Sequence, residues 1–106
     1  MAPQVGWNAG VLAGTGPWTS VLRTAVTVTS TATALPSTAL ANRKGIYVYN
    51  FGTVTVFLAF TSSVGTSNEV ELFSKMGLFL PLSDAITLYG RVASGTPVCL
   101  IWEYVG

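Results

Sequence analysis

From residue 21 onward the chain is broken every 8–12 residues by Gly, Pro, Asn or Ser, and the runs between are rich in β-branched and aromatic residues. Side chains on a strand alternate between its two faces, so such runs suit half-buried strands, and none of them shows the 3.6-residue period of a helix. In VLRTAVTVTSTA, 21–32, Val26 and Val28 share one face while Thr27 and Thr29 share the other. KGIYVYN, 44–50, and TVTVFLAFT, 53–61, flank Phe51-Gly52 and predict a hairpin or tightly linked pair, with Val54, Val56, Leu58 and Phe60 facing the core.

SSVGTSN, 62–68, is a loop by composition, EVELF, 69–73, a short strand, and Ser74–Gly77 a turn. In LFLPL, 78–82, Pro81 cannot donate to a ladder, which places this strand at an edge or an end. ITLYGRVAS, 86–94, and VCLIWEYV, 98–105, are separated by Gly95-Thr96-Pro97 and predict a second hairpin. The expected architecture is all-β: an antiparallel β-sandwich or jelly-roll-like barrel of about six to eight short strands.

Residues 1–20 differ. Four glycines and two prolines break any regular element, yet Trp7 and Trp18 stand among them. A tail meant only for solvent would be polar. An extended N-terminal arm over 1–20, ahead of a sandwich domain over 21–106, is expected to lay these rings on a neighbouring subunit, the alternative being its own domain.

Half of the 106 residues are hydrophobic, only 8% are charged, and the net charge is +1. A domain of this size with so little self-repulsion is poorly protected against association, so partner contacts are expected. Thr, Ser and Gly interrupt every apolar run before the roughly 20 residues that a spanning helix needs, and no membrane association is predicted. The first residues lack the basic start and apolar block of a secretory signal.

Catalysis has little to work with. There is no histidine, and the one cysteine, Cys99, lies in an apolar strand as a buried small hydrophobe. Glu69 and Glu71 would point to the same side of a strand, but beside a loop they read as a solvated face. No phosphate-binding loop follows Gly10, Gly14 and Gly16, and no cofactor or metal is expected. Five basic residues are too few for a stripe along nucleic acid. Thr27, Thr29, Thr31 and Thr33 make one alternating row without a second in register, which is an exposed strand face.

The residues expected at an interface are Trp7, Trp18, Arg43, Lys44, Tyr47, Tyr49, Trp102 and Tyr104. Arg43 and Lys44 are read as a strand start or as contacts to an acidic patch on a neighbour. The tyrosines and Trp102 are read as core, subunit contact or sugar platform.

Residues 34–60, ALPSTALANRKGIYVYNFGTVTVFLAF, with SSVGTSN at 62–68 and LYGRVASGTPVCLIWE at 88–103, cover about two-thirds of the chain and resemble small β-sandwich proteins of tailed phages. The matching pieces are Leu35-Pro36 before Arg43-Lys44, Asn50-x-Gly52, Thr66-Ser67-Asn68, and Leu88-Tyr89-Gly90 leading to Ala93-Ser94-Gly95-Thr96. The chain departs from the pattern after Asn68, where Glu69 stands in place of a Gly. The resemblance implies a non-enzymatic virion part that decorates or cements the capsid, commonly a homotrimer. It would bind the major capsid protein or other virion proteins at the head surface, after a stay in the host cytoplasm. A receptor- or glycan-binding fibre or tail module is the alternative.

Overall fold

The computed structural model describes residues 18–66 and 69–106. Among these residues there is no helix, and eight strands form: β1 (Ser20–Thr27), β2 (Thr33–Ala34), β3 (Arg43–Asn50), β4 (Val56–Ala59), β5 (Val70–Leu72), β6 (Gly77–Leu80), β7 (Tyr89–Arg91) and β8 (Val98–Val105). They pair antiparallel into two four-stranded sheets, ordered β1-β8-β3-β6 and β2-β7-β4-β5. Only the step from β4 to β5 stays within one sheet; every other connection crosses between sheets. That is the wiring of a jelly roll, and the expected all-β sandwich is what the chain forms.

Neither expected hairpin is present. β3 and β4 belong to different sheets, as do β7 and β8. The crossing after β3 is organised by Asn50, which is fully buried. Its Nδ2 donates to Val54 O at 2.7 Å and Leu72 O at 2.9 Å, while its Oδ1 accepts from the Gly52 amide at 3.0 Å. The side chain thus bonds the chain on both sides of the gap and turns it away from the first sheet. At the second crossing the Val28 and Phe51 amides donate to Pro97 O and Val98 O, so the Gly95-Thr96-Pro97 loop feeds β8 into the sheet opposite β7. The positive φ of Gly95, 88°, fits the turn without strain.

The core lies between the inner faces. Val28, Ile46, Val48, Cys99 and Ile101 of one sheet and its flanks meet Leu35, Val56, Leu58, Leu72, Leu88 and Val92 of the other, each at most 4% exposed. Fully burying an aliphatic side chain contributes about 1.5–3 kcal/mol. Phe60, expected in this row, is 53% exposed because β4 ends at Ala59 and the sandwich opens beyond it. The strand predicted over 86–94 contracts to Tyr89–Arg91, whereas Pro81 falls directly after the edge strand β6, as its missing amide requires.

The threonine row does not exist as a strand face. β1 stops at Thr27, and the later hydroxyls make local turns: the Thr29 hydroxyl accepts from the Thr31 amide, and the Thr33 hydroxyl donates to Thr31 O.

Candidate functional site

Along β8 the alternation is clean. Cys99, Ile101 and Glu103 point inward, and Val98, Leu100, Trp102 and Tyr104 point to the outer face. Register then assembles that face: Tyr47 lies opposite Trp102, Tyr49 opposite Leu100 and Gly45 opposite Tyr104. Phe79 lies opposite Tyr47, and on the other side of β8 Arg23 lies opposite Trp102.

The outcome is a band of rings on the outside of the β1-β8-β3-β6 sheet. Tyr47 and Trp102 have centroids 5.9 Å apart, Tyr49 and Phe51 6.4 Å, and Phe79 and Tyr104 5.9 Å, all tilted. Such tilted pairs contribute about 0.5–1.5 kcal/mol each beyond area burial. Lys75 caps the end of the band with its Nζ 4.3 Å from the Phe51 ring centre. Small residues make room for the rings: a Cβ at Gly45 would sit 2.7 Å from the Phe79 ring, and one at Gly77 would overlap the Tyr47 hydroxyl.

Tyr47, Tyr49, Phe79 and Trp102 remain half-buried, and Phe51 is 55% exposed. A soluble surface seldom gathers this much aromatic area without a use for it. The bordering charges are cationic, Arg23, Lys44 and Lys75. The acids lie elsewhere: Glu103 faces inward, Glu71 projects from the other sheet, and Glu69 and Asp84 sit in connections. Burial raises the Tyr47 phenol above its usual range, with neighbouring Tyr49 adding to the effect.

Five of the eight expected interface residues therefore meet on one face: Trp18, Tyr47, Tyr49, Trp102 and Tyr104. Two of these five take up an alternative that the sequence leaves open, packing within their own domain. Trp18 packs on its own sheet, 5.0 Å from Tyr104 and 6.0 Å from Phe79 between ring centres. Tyr104 beneath it is fully buried, so it supports the face rather than contacting a neighbour; among the described residues its hydroxyl has no hydrogen-bond partner. Burial, then Tyr47, raises its phenol. Trp7 lies outside the described residues.

Arg43 starts β3, one of its two expected readings, but its expected place at an interface is corrected. A register shift between Arg43 and Gly45 turns its side chain inward, where it is 1% exposed and pairs with Glu103 at 2.9 Å. It donates further to Leu82 O, Ser83 O and Ile86 O, and Glu103 also accepts from the Leu40 amide. Two long connections are tied to β3 and β8 by this ion pair, the one at 82–86 through the guanidinium and the one at Leu40 through the carboxylate, and at 1% exposure neither side chain reaches a partner. Lys44 is exposed at the shift, away from Arg43's pair. The sequence carried one signal for the pair: Glu103 occupies an inward position of an otherwise apolar strand, which demands a buried cation.

A second apolar feature, an opening of about 340 Å³, lies between β6 and the β4-β5 edge, lined by Leu58, Phe60, Val70, Leu78 and Leu80 with Glu69 at its rim. Glu69 accepts from the Gly65 amide and does not pair with Glu71. Cys99 is fully buried, and burial pushes its thiol up to about 12. Among the described residues no cluster of His, Cys, Asp and Glu could hold a metal ion, and no helix is long and apolar enough to cross a membrane. No protein-family model, curated protein or solved structure matches this chain.

Proposed function

We propose that the chain is a non-enzymatic structural protein of a tailed-phage particle, a capsid decoration or cement protein that binds the head lattice as a homotrimer and stabilises it. The observation that carries this reading is the aromatic outer face of the β1-β8-β3-β6 sheet, rimmed by cations and free of carboxylates. Buried aromatic anchors dominate association energy, and a chain with 8% charged residues has little else on its surface to repel a partner. Jelly rolls build viral capsid and lectin domains among others, so the fold admits the role without choosing it.

The test is co-sedimentation of the purified chain with heads that lack it. Binding should be lost when Tyr47 and Trp102 are both changed to Ser, and weakened by deletion of residues 1–17, a cut that leaves Trp18 on its sheet. Unchanged binding by both variants would refute the reading. The outward Tyr47–Trp102 pair also suits stacking on a sugar ring, which favours a receptor- or glycan-binding module as the second reading. Glycan-array hits lost in the same double variant, without head binding, would select it.

A further inference from the structure

The outer edge of β1 has no neighbouring strand among the described residues. β1 runs eight residues in unbroken register with β8, from Ser20 opposite Val105 to Thr27 opposite Val98, and holds no Pro, no Gly and one charge, Arg23. Natural sheets blunt their edges with short strands, bulges, prolines or charges, since an open edge is a template for another chain. The other three edge strands, β2, β5 and β6, are two, three and four residues long. Among the described strands β1 alone is both long and undefended.

Hydrogen-bond parity fixes what this edge offers. The Val28 amide donates to Pro97 O at 2.8 Å in the register of the β1-β8 ladder, so the even-numbered residues bond to β8. Val21, Arg23, Ala25 and Thr27 consequently aim their N–H and C=O groups outward. Two antiparallel copies of β1 can exchange bonds only between these odd residues. Of the two registers with greatest overlap, one sets Arg23 directly against Arg23 of the second copy, which like charge disfavours.

The other register is self-complementary. It sets Arg23 against Ala25 and Val21 against Thr27 on the outer face. On the inner side it sets Leu22, 47% exposed, against half-buried Val26, with Thr24 facing Thr24 on the two-fold axis. Aliphatic and Thr–Thr pairs are favourable cross-strand neighbours. We propose that β1 is the docking edge for β1 of a second copy, joined in this register into one eight-stranded sheet across a two-fold axis. The contact is isologous, stands apart from the virion reading, and would link one trimer to the next if the trimer forms.

Thr24→Cys tests it. Facing residues of a non-hydrogen-bonded pair have Cα atoms about 4.5 Å apart, within disulfide range, so mild oxidation should give a disulfide-linked dimer on a non-reducing gel. Leu22→Cys, which faces Val26, should give none, and buried Cys99 does not compete. Ala25→Asp places a carboxylate against Arg23 twice per dimer and should tighten association about 2- to 30-fold, while Ala25→Lys should loosen it by a similar factor. Ala25 is exposed, so both variants keep the fold. Failure of Thr24→Cys to cross-link, equal cross-linking by Leu22→Cys, or equal masses for Ala25→Asp and Ala25→Lys in sedimentation equilibrium would overturn the proposal. Head binding is read separately and does not enter this result.

Discussion

Changing Arg43 to Met should unfold this domain at ordinary working temperatures, or nearly so. The guanidinium and the Glu103 carboxylate are both 1% exposed, Arg43 Nη1 lies 2.9 Å from Glu103 Oε2, and Glu103 Oε1 has no hydrogen-bond partner among the described residues. Met keeps much of the stem's bulk but leaves a carboxylate inside the sandwich with, among the described residues, only the Leu40 amide to hold it. Removing one partner of a buried pair costs about 3–5 kcal/mol. Of the three carbonyls released, those of Ser83 and Ile86 belong to exposed residues and regain water, whereas Leu82 is 7% exposed and adds about 1 kcal/mol. A loss of about 4–6 kcal/mol is a large share of the 5–15 kcal/mol typical of a domain, and corresponds to a Tm lower by roughly 20 °C or more. The double variant Arg43→Met, Glu103→Leu should recover most of this, since apolar replacements of a buried pair are often neutral. Urea unfolding of the two single variants and the double variant measures the coupling. A single-variant cost below about 1 kcal/mol, or a double variant worse than both singles, would refute the reasoning.

Three further outcomes are expected. Gly77→Ala should cost about 1–3 kcal/mol in urea unfolding because its Cβ overlaps the Tyr47 hydroxyl, and Tyr47→Phe in the same chain should return part of it. Trp18→Ala removes two ring contacts and uncovers Tyr104, for a cost of about 1–3 kcal/mol and a loss of near-ultraviolet circular dichroism. Burial lifts the Cys99 thiol from 9.0 to about 12, so the unfolded chain releases its proton first: stability is complete below pH 9 and falls at about 1.4 kcal/mol per pH unit as the pH rises toward 12. Tyr47 and Tyr104, raised likewise, act in the same direction, and Cys99→Ala should flatten the fall in thermal unfolding measured above pH 9.

Which parts of this structure could be read from residues follows from the range of the forces involved. β8 was legible to its end residues because its alternation is uninterrupted and both of its faces are occupied. The hairpins were not. Gly95-Thr96-Pro97 has the turn chemistry needed to reverse the chain, but the same residues serve a chain that returns to the opposite sheet, and pairing partners decide between the two. Phe60 continues the period of Val56 and Leu58, yet a period says nothing about where the facing sheet ends. The face was legible in part: alternation groups Tyr47 with Tyr49 and Trp102 with Tyr104, while register brings the two groups together. Phe51 and Phe79 were missed because turn and edge positions looked sufficient to explain them. Arg43 illustrates the opposite limit, since an irregularity of one residue exchanged its solvent face for the core and its partner stands 60 positions away.

Sedimentation velocity at micromolar concentration, comparing the wild-type chain with the Tyr47→Ser, Trp102→Ser variant, reads most directly whether the aromatic face is an assembly surface. The wild type should run as a trimer or a multiple of it, and the variant should fall to lower mass with its far-ultraviolet circular dichroism unchanged. A wild-type chain that sediments as an 11.1 kDa monomer, or a variant that assembles as fully as the wild type, would contradict it.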